Sequence, residues 1–427
     1  MLDLTPWLNA PAWCVAYSGG LDSTVLLHLL ADHARHPDAP PLRAVHIHHG
    51  LQAAADAWPA HCREVCDALG VELRVIHVQV DSAASLEQAA RNARYQAFTE
   101  LLGPGELLFT GQHREDQAET LLFRLLRGAG LRGLAAMPAS RPLGRGRLVR
   151  PLLDKPRDHL QQYAQAAGLK WIEDPSNTDS TFARNFLRCE VFPLLRQRWP
   201  QASQSLARST THLGEALALL DELAASDIAA ASPGAAAPWQ CLDSLDMEVL
   251  AALSPARQRN ALQFWLSSRT RLPDSRHWAG WETLRDAAAD ARPIWRLTDG
   301  ELQRSQGRLW WLSGDWLQVP LGEVPWPDPK QMLALPGNGS VRPVGDIPGP
   351  GLRIAYRQGG EVLDIPGRGH RDLKRLLNEH QVPHFLRQRL PLLYQGTCIL
   401  AVANLPMSGQ GRCQLQWQPP TNVQGLR

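Results

Sequence analysis

The sequence predicts an α/β protein. Its first 200 residues read as a doubly wound parallel sheet, followed by a mainly helical middle domain and a small α+β C-terminal domain. Three observations carry this. From residue 1 to about 195, short apolar runs alternate with helical stretches, the pattern of strand–helix–strand units with helices on both faces of a sheet. Residues 200 to about 320 lose that alternation, and from 332 on short strands surround a single good helix. The length, 427 residues, suits roughly two to four domains.

The elements follow in order. The strand runs are Trp13–Tyr17, Ala44–His48, Leu73–Val78, Leu107–Thr110 and Leu148–Leu153. Between them lie helical stretches over Thr24–Ala34, Ala57–Leu69, Leu86–Leu101, Asp116–Leu126 and Arg157–Ala167. Ser85, three residues before Gln88, gives the third helix a capping-box start. Gly70 and Gly168 stand where helix C-caps favour glycine. Ligands of such sheets bind at the carboxyl ends of the strands, so chemistry-bearing motifs should follow strands directly.

Further on, Ser203–Ala225 has helical periodicity, 229–239 is an Ala/Pro-rich connection, and 242–290 is helical again. Residues 294–312 read as short strands around turns, 320–329 as a proline-rich linker and Asp372–Glu379 as a helix. The expected domains are 1–200, 201–325 and 332–427. Many of the 15 tryptophans fall in 239–326, where core packing explains them better than base stacking.

Composition excludes several classes. With 44% hydrophobic and 20% charged residues, the chain is neither disordered, collagen-like nor a coiled coil. No apolar run approaches the ~20 residues of a membrane helix. The start, MLDLTPWLNAPAW, lacks the basic and apolar regions of a secretory signal, so a cytoplasmic protein without membrane contact is expected. Seven cysteines without CxxC spacing indicate neither a disulfide framework nor a zinc site. The net charge of +2 is no nucleic-acid signature in itself.

The strongest motif is Ser18-Gly19-Gly20-Leu21-Asp22-Ser23, between the first strand and first helix. Its glycines let backbone N–H groups approach an anion, and the helix N-terminus adds positive potential. Asp22 is unsuited to a bare phosphate but can hold Mg²⁺ that bridges phosphates. The Walker pattern is absent. His46, His48 and His49 end the second strand, with His46 and His48 on one face. No further ligand follows at metal spacing, which leaves a place beside a nucleotide or a structural role. Arg91 and Arg94 are neighbours on the third helix, where a solvated face is the plain alternative.

After the fourth strand comes Gly111-Gln112-His113-Arg114-Glu115-Asp116-Gln117-Ala118-Glu119-Thr120. Asp116 and Glu119 share a helix face, which suits an ammonium ligand, Mg²⁺ or proton transfer; a plain acidic helix start is the alternative. Gly128-Ala129-Gly130-Leu131-Arg132-Gly133 follows a helix rather than a strand and is read as a loop. Two basic clusters stand out. Arg141, Arg145, Arg147 and Arg150 border the active face, where RNA contact and an exposed loop explain them equally well. The denser one holds Lys374, Arg375, Arg387 and Arg389 around Val382-Pro383, with Arg368, His370 and Arg371 just before.

SGGLDS after a first strand resembles the PP-loop of the ATP pyrophosphatase superfamily, whose adenine-nucleotide α-hydrolase-like fold is the doubly wound sheet read above. Arg150-Pro151-Leu152-Leu153, Asp174-Pro175-Ser176-Asn177 and Arg184-Asn185-Phe186-Leu187-Arg188 narrow the match. Over about 1–195 the chain is similar to the tRNA(Ile)-lysidine synthetase family. The resemblance implies an ATP site at Ser18, Gly19, Gly20, Leu21, Asp22 and Ser23, with His48 and Arg94 expected beside the nucleotide and Mg²⁺ as cofactor on Asp22. It puts free L-lysine on Asp116 and Glu119 with an arginine from Arg184 or Arg188, and makes Asp22, Asp116 and Glu119 the catalytic set. It lets Lys374, Arg375, Arg387 and Arg389 grip the acceptor end of an isoleucine tRNA with a CAU anticodon. The family motif usually carries two aspartates where this chain has Glu115 and Asp116, so no role is carried onto Glu115. The implied reaction is adenylation of the wobble cytidine by ATP and attack by lysine. A PP-loop tRNA thiolase, an amide-forming PP-loop ligase and a non-catalytic tRNA-binding protein are the rivals, and a homodimer is left open.

Overall fold

The alternation between Trp13 and Val149 folds into one six-stranded sheet of order β3-β2-β1-β4-β6-β5. A computed structural model describes residues 2–50, 56–80, 86–232, 242–273, 277–288, 291–346, 349–365, 369–405 and 413–422. Ser85 of the expected capping box, most of the Ala/Pro-rich connection and Arg368 lie outside them. The chain forms two compact units, Met1–Leu219 and Leu220–Gly425.

In the first unit, β1 (Trp13–Ala16), α1 (Leu21–His33), β2 (Leu42–His48), α2 (Trp58–Leu69), β3 (Glu72–His77), α3 (Leu86–Leu101), β4 (Leu107–Phe109) and α4 (Arg114–Leu126) follow in order. Then come α5 (Leu131–Leu134), β5 (Ser140–Leu143), β6 (Gly146–Val149) and α6 (Arg157–Ala166). β1 pairs in parallel with β2 and β4, β2 with β3, and β4 with β6.

Strand alternation fills both faces. Trp13 and Val15 point into a core with Val25, Leu26 and Leu30 of α1, Cys62 and Cys66 of α2 and Leu160 of α6. Cys14 points the other way, against Phe98 of α3, Leu108 and Leu148. Each fully buried Leu or Val contributes about 1.5–3 kcal/mol, so one helix layer on each face follows from the pattern. Gly70 ends α2 in the left-handed region.

Several element ends shift by a few residues, and one shift has a plain cause. The last strand stops at Val149 rather than Leu153, because Pro151 has no N–H for a ladder. Ser140–Leu143 is an additional strand, antiparallel to β6. Its Ser-Arg-Pro-Leu sequence carries no apolar alternation that would announce it.

After α7 (Ala183–Phe186), a π-helical turn and α8 (Phe192–Arg198), the long α9 (Ala202–Ala231) leads on. In the second unit, α10 (Met247–Ala251), α11 (Pro255–Leu266) and α12 (Ala279–Asp286) pack on a sheet of β7 (Ser244–Asp246), β8 (Ile294–Arg296), β9 (Glu301–Ser305) and β10 (Arg308–Leu312). Trp265, Trp281, Trp295, Trp310, Trp311 and Trp316 are all buried, as core packing requires.

Val324–Trp326, expected within a linker, is strand β11 and pairs with β14 (Leu352–Ala355). Its Pro325 is tolerated because β11 is an edge strand. The remaining strands are β12 (Leu333–Ala334), β13 (Ser340–Val344), β15 (Val362–Ile365), β16 (Gly369–Asp372), β17 (Leu392–Gln395), β18 (Cys398–Val402) and β19 (Gln414–Gln418). They form the sheets β11-β14-β17-β18, β12-β13-β19 and β15-β16. Helices α13 (Leu373–Glu379) and α14 (His384–Arg387) complete the region. Among the described residues, no helix is long and apolar enough to cross a membrane.

Candidate active site

The glycine loop joins β1 to α1 at the carboxyl edge of the sheet. Gly19 has φ +85°, a region that favours glycine. A Cβ there would lie 2.6 Å from Ile172 Cδ1 and 3.1 Å from Cys62 Sγ. The Ile172 N–H donates to the Gly19 carbonyl at 2.8 Å and pins the turn. Ser18 Oγ and Ser23 Oγ lie 3.0 Å apart, and Ser23 Oγ donates to the Gly20 carbonyl at 2.9 Å. No side chain caps the start of α1, so its first N–H groups can serve an anion.

Asp22 projects from the first turn of α1 toward the start of α4. The two loops meet closely: a Cβ on Gly111 would lie 3.1 Å from the Asp22 carbonyl. There His113 is 2% exposed and surrounded by acids. Its Nδ1 lies 3.2 Å from Glu115 Oε2, and its Nε2 lies 3.4 Å from Asp116 Oδ2 and 3.7 Å from Asp22 Oδ2. Asp116 also accepts from the His113 backbone N–H at 3.0 Å, which caps α4. Glu115 accepts from the Arg157 backbone N–H at 2.9 Å.

Electrostatics follow from this crowding. Burial pushes the Asp22 carboxyl above its ordinary value, against the pull of His113. Burial also works to raise Glu115, but the His113 hydrogen bond and the Arg157 N–H prevail and hold it at about 2. Burial alone would lower His113, yet Asp116, Glu115 and Asp22 together raise it. Asp22 Oδ1 is buried without a hydrogen-bond partner.

The last component comes from 174–188. Asp174 Oδ1 accepts from the Ser176 N–H at 2.9 Å, and Asn185 Nδ2 donates to the Ser176 and Asp179 carbonyls at 2.8 and 2.9 Å. This locks the loop against α7. The π-helical turn Leu187–Val191 buries Leu187 while Arg188 reaches α4, a feature common at functional positions. Arg188 Nε donates to Glu119 Oε1 at 2.7 Å, and its Nη2 to Glu119 Oε2 at 2.9 Å and Asp116 Oδ1 at 3.2 Å. Burial keeps the Glu119 carboxyl raised despite Arg188. Arg184 Nη2 donates instead to Thr120 Oγ1 at 2.6 Å.

The structure thus gathers Asp22, Asp116, Glu119 and Arg188 at one edge, with Arg184 one turn away. Sequence reasoning assigned nothing to His113, Glu115 or Arg157. The signal for His113 was its place inside a motif already noted, two and three residues before Glu115 and Asp116.

His48 and Arg94 stand at the end of β2. His48 Nε2 lies 3.3 Å from Asp56 Oδ1 and its ring 4.9 Å from that of His77. Arg94 Nη2 donates to His49 Nε2 at 2.9 Å, and burial, with Arg94, pushes His49 down to about 4. His46 is buried with Nδ1 2.9 Å from the Tyr17 carbonyl. Among the described residues no group of three or more His, Cys, Asp and Glu side chains is placed so that it could hold a metal ion by itself.

In the second unit, α13 buries Leu373, Leu376 and Leu377 and leaves Lys374 and Arg375 exposed. Arg387 donates to Asn378 Oδ1 at 2.7 Å. Arg389 corrects the expectation. It is 1% exposed, and its guanidinium donates to Asn338 Oδ1 at 3.2 Å and to the Asp315, Gly337 and Gln318 carbonyls. Its carbon lies 4.8 Å from the Trp316 ring centroid. A guanidinium so enclosed is unavailable to RNA.

Residues 3–195 match a PP-loop domain, 245–310 a TilS substrate binding domain and 352–420 a TilS substrate C-terminal domain. A tRNA(Ile)-lysidine synthase of Pseudomonas putida is 73% identical over 426 residues, covering 100% of both chains. That of Pseudomonas fluorescens is 59% identical, over 100% of this chain and 97% of its own. That of Escherichia coli O157:H7 is 43% identical, over 91% of each. Among solved structures, a U34-tRNA thiolase of Methanococcus maripaludis is 19% identical with a TM-score of 0.40, covering 48% of this chain and 72% of its own.

Proposed function

The chain belongs to the tRNA(Ile)-lysidine synthase family, and from this we propose that it joins free L-lysine to the wobble cytidine of a CAU-anticodon isoleucine tRNA. The cytidine 2-oxygen attacks the α-phosphorus of ATP and pyrophosphate leaves. The lysine ε-amine then attacks C2, loses a proton, and AMP leaves. The enzyme is an ATP-using ligase of tRNA modification, acting in the cytoplasm.

The observation that carries the assignment is the bridge from Arg188 to Asp116 and Glu119. Two carboxylates offer partners for ammonium groups, and a guanidinium beside them offers one for a carboxylate. Free lysine carries both kinds of charge. The raised Glu119 carboxyl is also suited to accept a proton from the attacking amine.

Ser18, Gly19, Gly20, Leu21, Asp22 and Ser23 hold the ATP phosphates through backbone N–H groups and hydroxyls, with His48 and Arg94 toward the rest of the nucleotide. Asp22 Oδ1, which has no hydrogen bond and only a 4.0 Å ion pair to Arg157 Nε, fits Mg²⁺, since one carboxylate plus phosphate oxygens is a usual way to bind that ion. Mg²⁺ there would neutralise charge on the departing pyrophosphate. His113 holds Asp22 and Asp116 on one side of the cleft. Lys374, Arg375 and Arg387 contact tRNA phosphates, giving affinity rather than base readout.

The thiolase rival needs a reactive thiolate. Cys62, in contact range of the glycine loop, is buried, and burial pushes its thiol up to about 12. The test is transfer of labelled lysine into CAU isoleucine tRNA with ATP and Mg²⁺, the elongator methionine tRNA serving as control. Incorporation into the isoleucine tRNA alone, with AMP and pyrophosphate released, is expected, and a variant lacking all seven cysteines should retain it. Pyrophosphate release without lysine incorporation would return the thiolase and amide-ligase readings. A functional Asp22→Ala variant would favour the non-catalytic binder.

A further inference from the structure

The arginines of the β5–β6 hairpin do not form one group. Arg145 and Arg147 are exposed, whereas Arg141 and Arg150 turn toward Tyr95 on α3. The Arg141 guanidinium carbon lies 5.1 Å from the Tyr95 ring centroid, and that of Arg91 lies 5.0 Å from the same centroid. Arg150, 4% exposed, donates to the Pro138 carbonyl at 2.7 Å and stands close enough for its charge to act on the Tyr95 phenol. Three guanidiniums therefore meet on one phenol. Among the described residues none of the three is ion-paired with a carboxylate; burial and the like charges of Arg141 and Arg91 oppose the Arg150 charge, and the Tyr95 phenol supports it.

Such a grouping is unfavourable in isolation. Like charges repel, and a buried guanidinium loses hydration. Apart from the Arg150 Nη1 donor already spent on the Pro138 carbonyl, the three planar guanidiniums carry N–H donors in the fork geometry that matches a phosphate.

Position decides which phosphate. The strands run β2-β1-β4-β6 across the sheet, and their carboxyl ends carry, in turn, His48, the glycine loop, the His113–Glu119 segment and Arg150. At about 4.8 Å per strand, Arg150 follows a strand roughly 10 Å from that of the glycine loop. Arg150 follows the strand beyond the carboxylates, whereas Arg91 and Tyr95 stand within one turn of Arg94 on α3, so the group reaches from the nucleotide side across to the far strand. The ATP triphosphate is already served by the loop.

We propose that Arg91, Arg141 and Arg150, arranged around Tyr95, seat a backbone phosphate of the RNA substrate next to the nucleotide undergoing reaction. The inference rests on the RNA-substrate reading above and adds a site to it. A single-stranded loop must present one base to the cleft, and a neighbouring phosphate held here fixes that strand while the base faces Asp116 and Glu119.

The test uses full-length protein carrying Arg91→Gln, Arg141→Gln or both, since these two side chains are more accessible than Arg150. The readouts are affinity for CAU isoleucine tRNA across a salt series and affinity for ATP alone. Each substitution should weaken tRNA binding by roughly tenfold, the worth of one charged hydrogen-bonding group. The slope of log affinity against log salt should fall by about 1 for the lost contact. ATP affinity should stay within about twofold, and Arg91→Lys, which restores charge without the fork, should recover the salt slope better than the affinity. Unchanged tRNA affinity and slope would overturn the proposal. So would weakened ATP binding with tRNA binding intact, which would give the cluster to the nucleotide's own phosphates. Wild-type protein that binds tRNA and transfers lysine while the variants match it removes only this seat. Wild-type protein that transfers no lysine to that tRNA removes the reading beneath it as well.

Discussion

Arg188 and Arg389 both come from basic motifs, and the two regions that hold them treat a guanidinium in opposite ways. At the edge of the first unit's sheet, Arg188 is 40% exposed and faces two carboxylates, Glu119 buried and Asp116 half-buried. Nearby, Asp22 keeps a buried oxygen without a hydrogen-bond partner, and His113 is crowded by three acids. In the second unit, Arg389 is enclosed by backbone carbonyls and Asn338. Asn338 in turn donates to the Arg389 carbonyl at 2.8 Å. The first arrangement leaves charge to be exchanged with a ligand. The second satisfies it within the fold. Motif membership does not separate the two; the nature of the acceptors does.

Breaking the first region should have the largest effect. Asp116→Asn or Glu119→Gln keeps shape but removes a charge that pairs with Arg188. Lysine transfer should fall by about 10²–10⁴-fold, the usual range for a lost acid–base or electrostatic group, while thermal unfolding changes little. Rates within threefold of wild type, measured with saturating tRNA, would show that these carboxylates serve Arg188 structurally and nothing more.

Arg389 should give the converse. Arg389→Ala leaves three backbone carbonyls and Asn338 buried without their donor, which costs about 3–5 kcal/mol. Denaturant unfolding of the second unit should report it. Arg389→Lys should recover little, because one ammonium cannot reach acceptors placed for a planar fork. A stable Arg389→Ala protein with reduced tRNA affinity would return this residue to the RNA-binding set. A milder effect is expected at the surface: Arg375 pairs with Glu379 at 3.5 Å, both exposed. Arg375→Gln should weaken tRNA binding by roughly threefold to tenfold and lower the salt slope by about 1, with no loss of stability.

These contrasts also mark what was legible in the sequence. The helix over Leu86–Leu101 and the glycine that closes α2 follow from local pattern, and so does the glycine loop, whose chemistry lies within six consecutive residues. What escaped depends on partners far along the chain. Strand β5 exists because β6 offers it a ladder, and β11 because β14 has a free edge. Arg389 is structural because Asp315, Gly337 and Asn338 surround it from more than fifty positions away. Arg150 lies in sequence with Arg145 and Arg147 but in space with Tyr95. Glu115, left without a role because the motif usually has aspartate there, is fixed by Arg157, forty-two positions later.

That last contact yields the finest test. The Glu115 carboxyl, held at about 2, is depressed below its ordinary 4.5. Its contribution to stability is therefore complete above about 4.5 and is lost as pH falls toward 2. His113 is raised above its ordinary 6.5, so its contribution is complete below 6.5 and is lost as pH rises through the folded value. Between those limits the two charges support each other, and the imidazolium keeps Nε2–H directed at Asp116 and Asp22. Replacing Glu115 by Gln removes one of the acids that raise His113 while leaving an acceptor for the Arg157 N–H. The His113 titration, followed by NMR of the ring protons, should then move to lower pH without reaching the value of an isolated buried imidazole, because Asp116 and Asp22 remain. Glu115→Asp, the residue the motif usually carries, should restore the wild-type midpoint if the shorter side chain still reaches Nδ1. A midpoint unmoved by Glu115→Gln would mean that Asp116 and Asp22 alone set the charge on His113, and that Glu115 serves only to hold the Arg157 backbone.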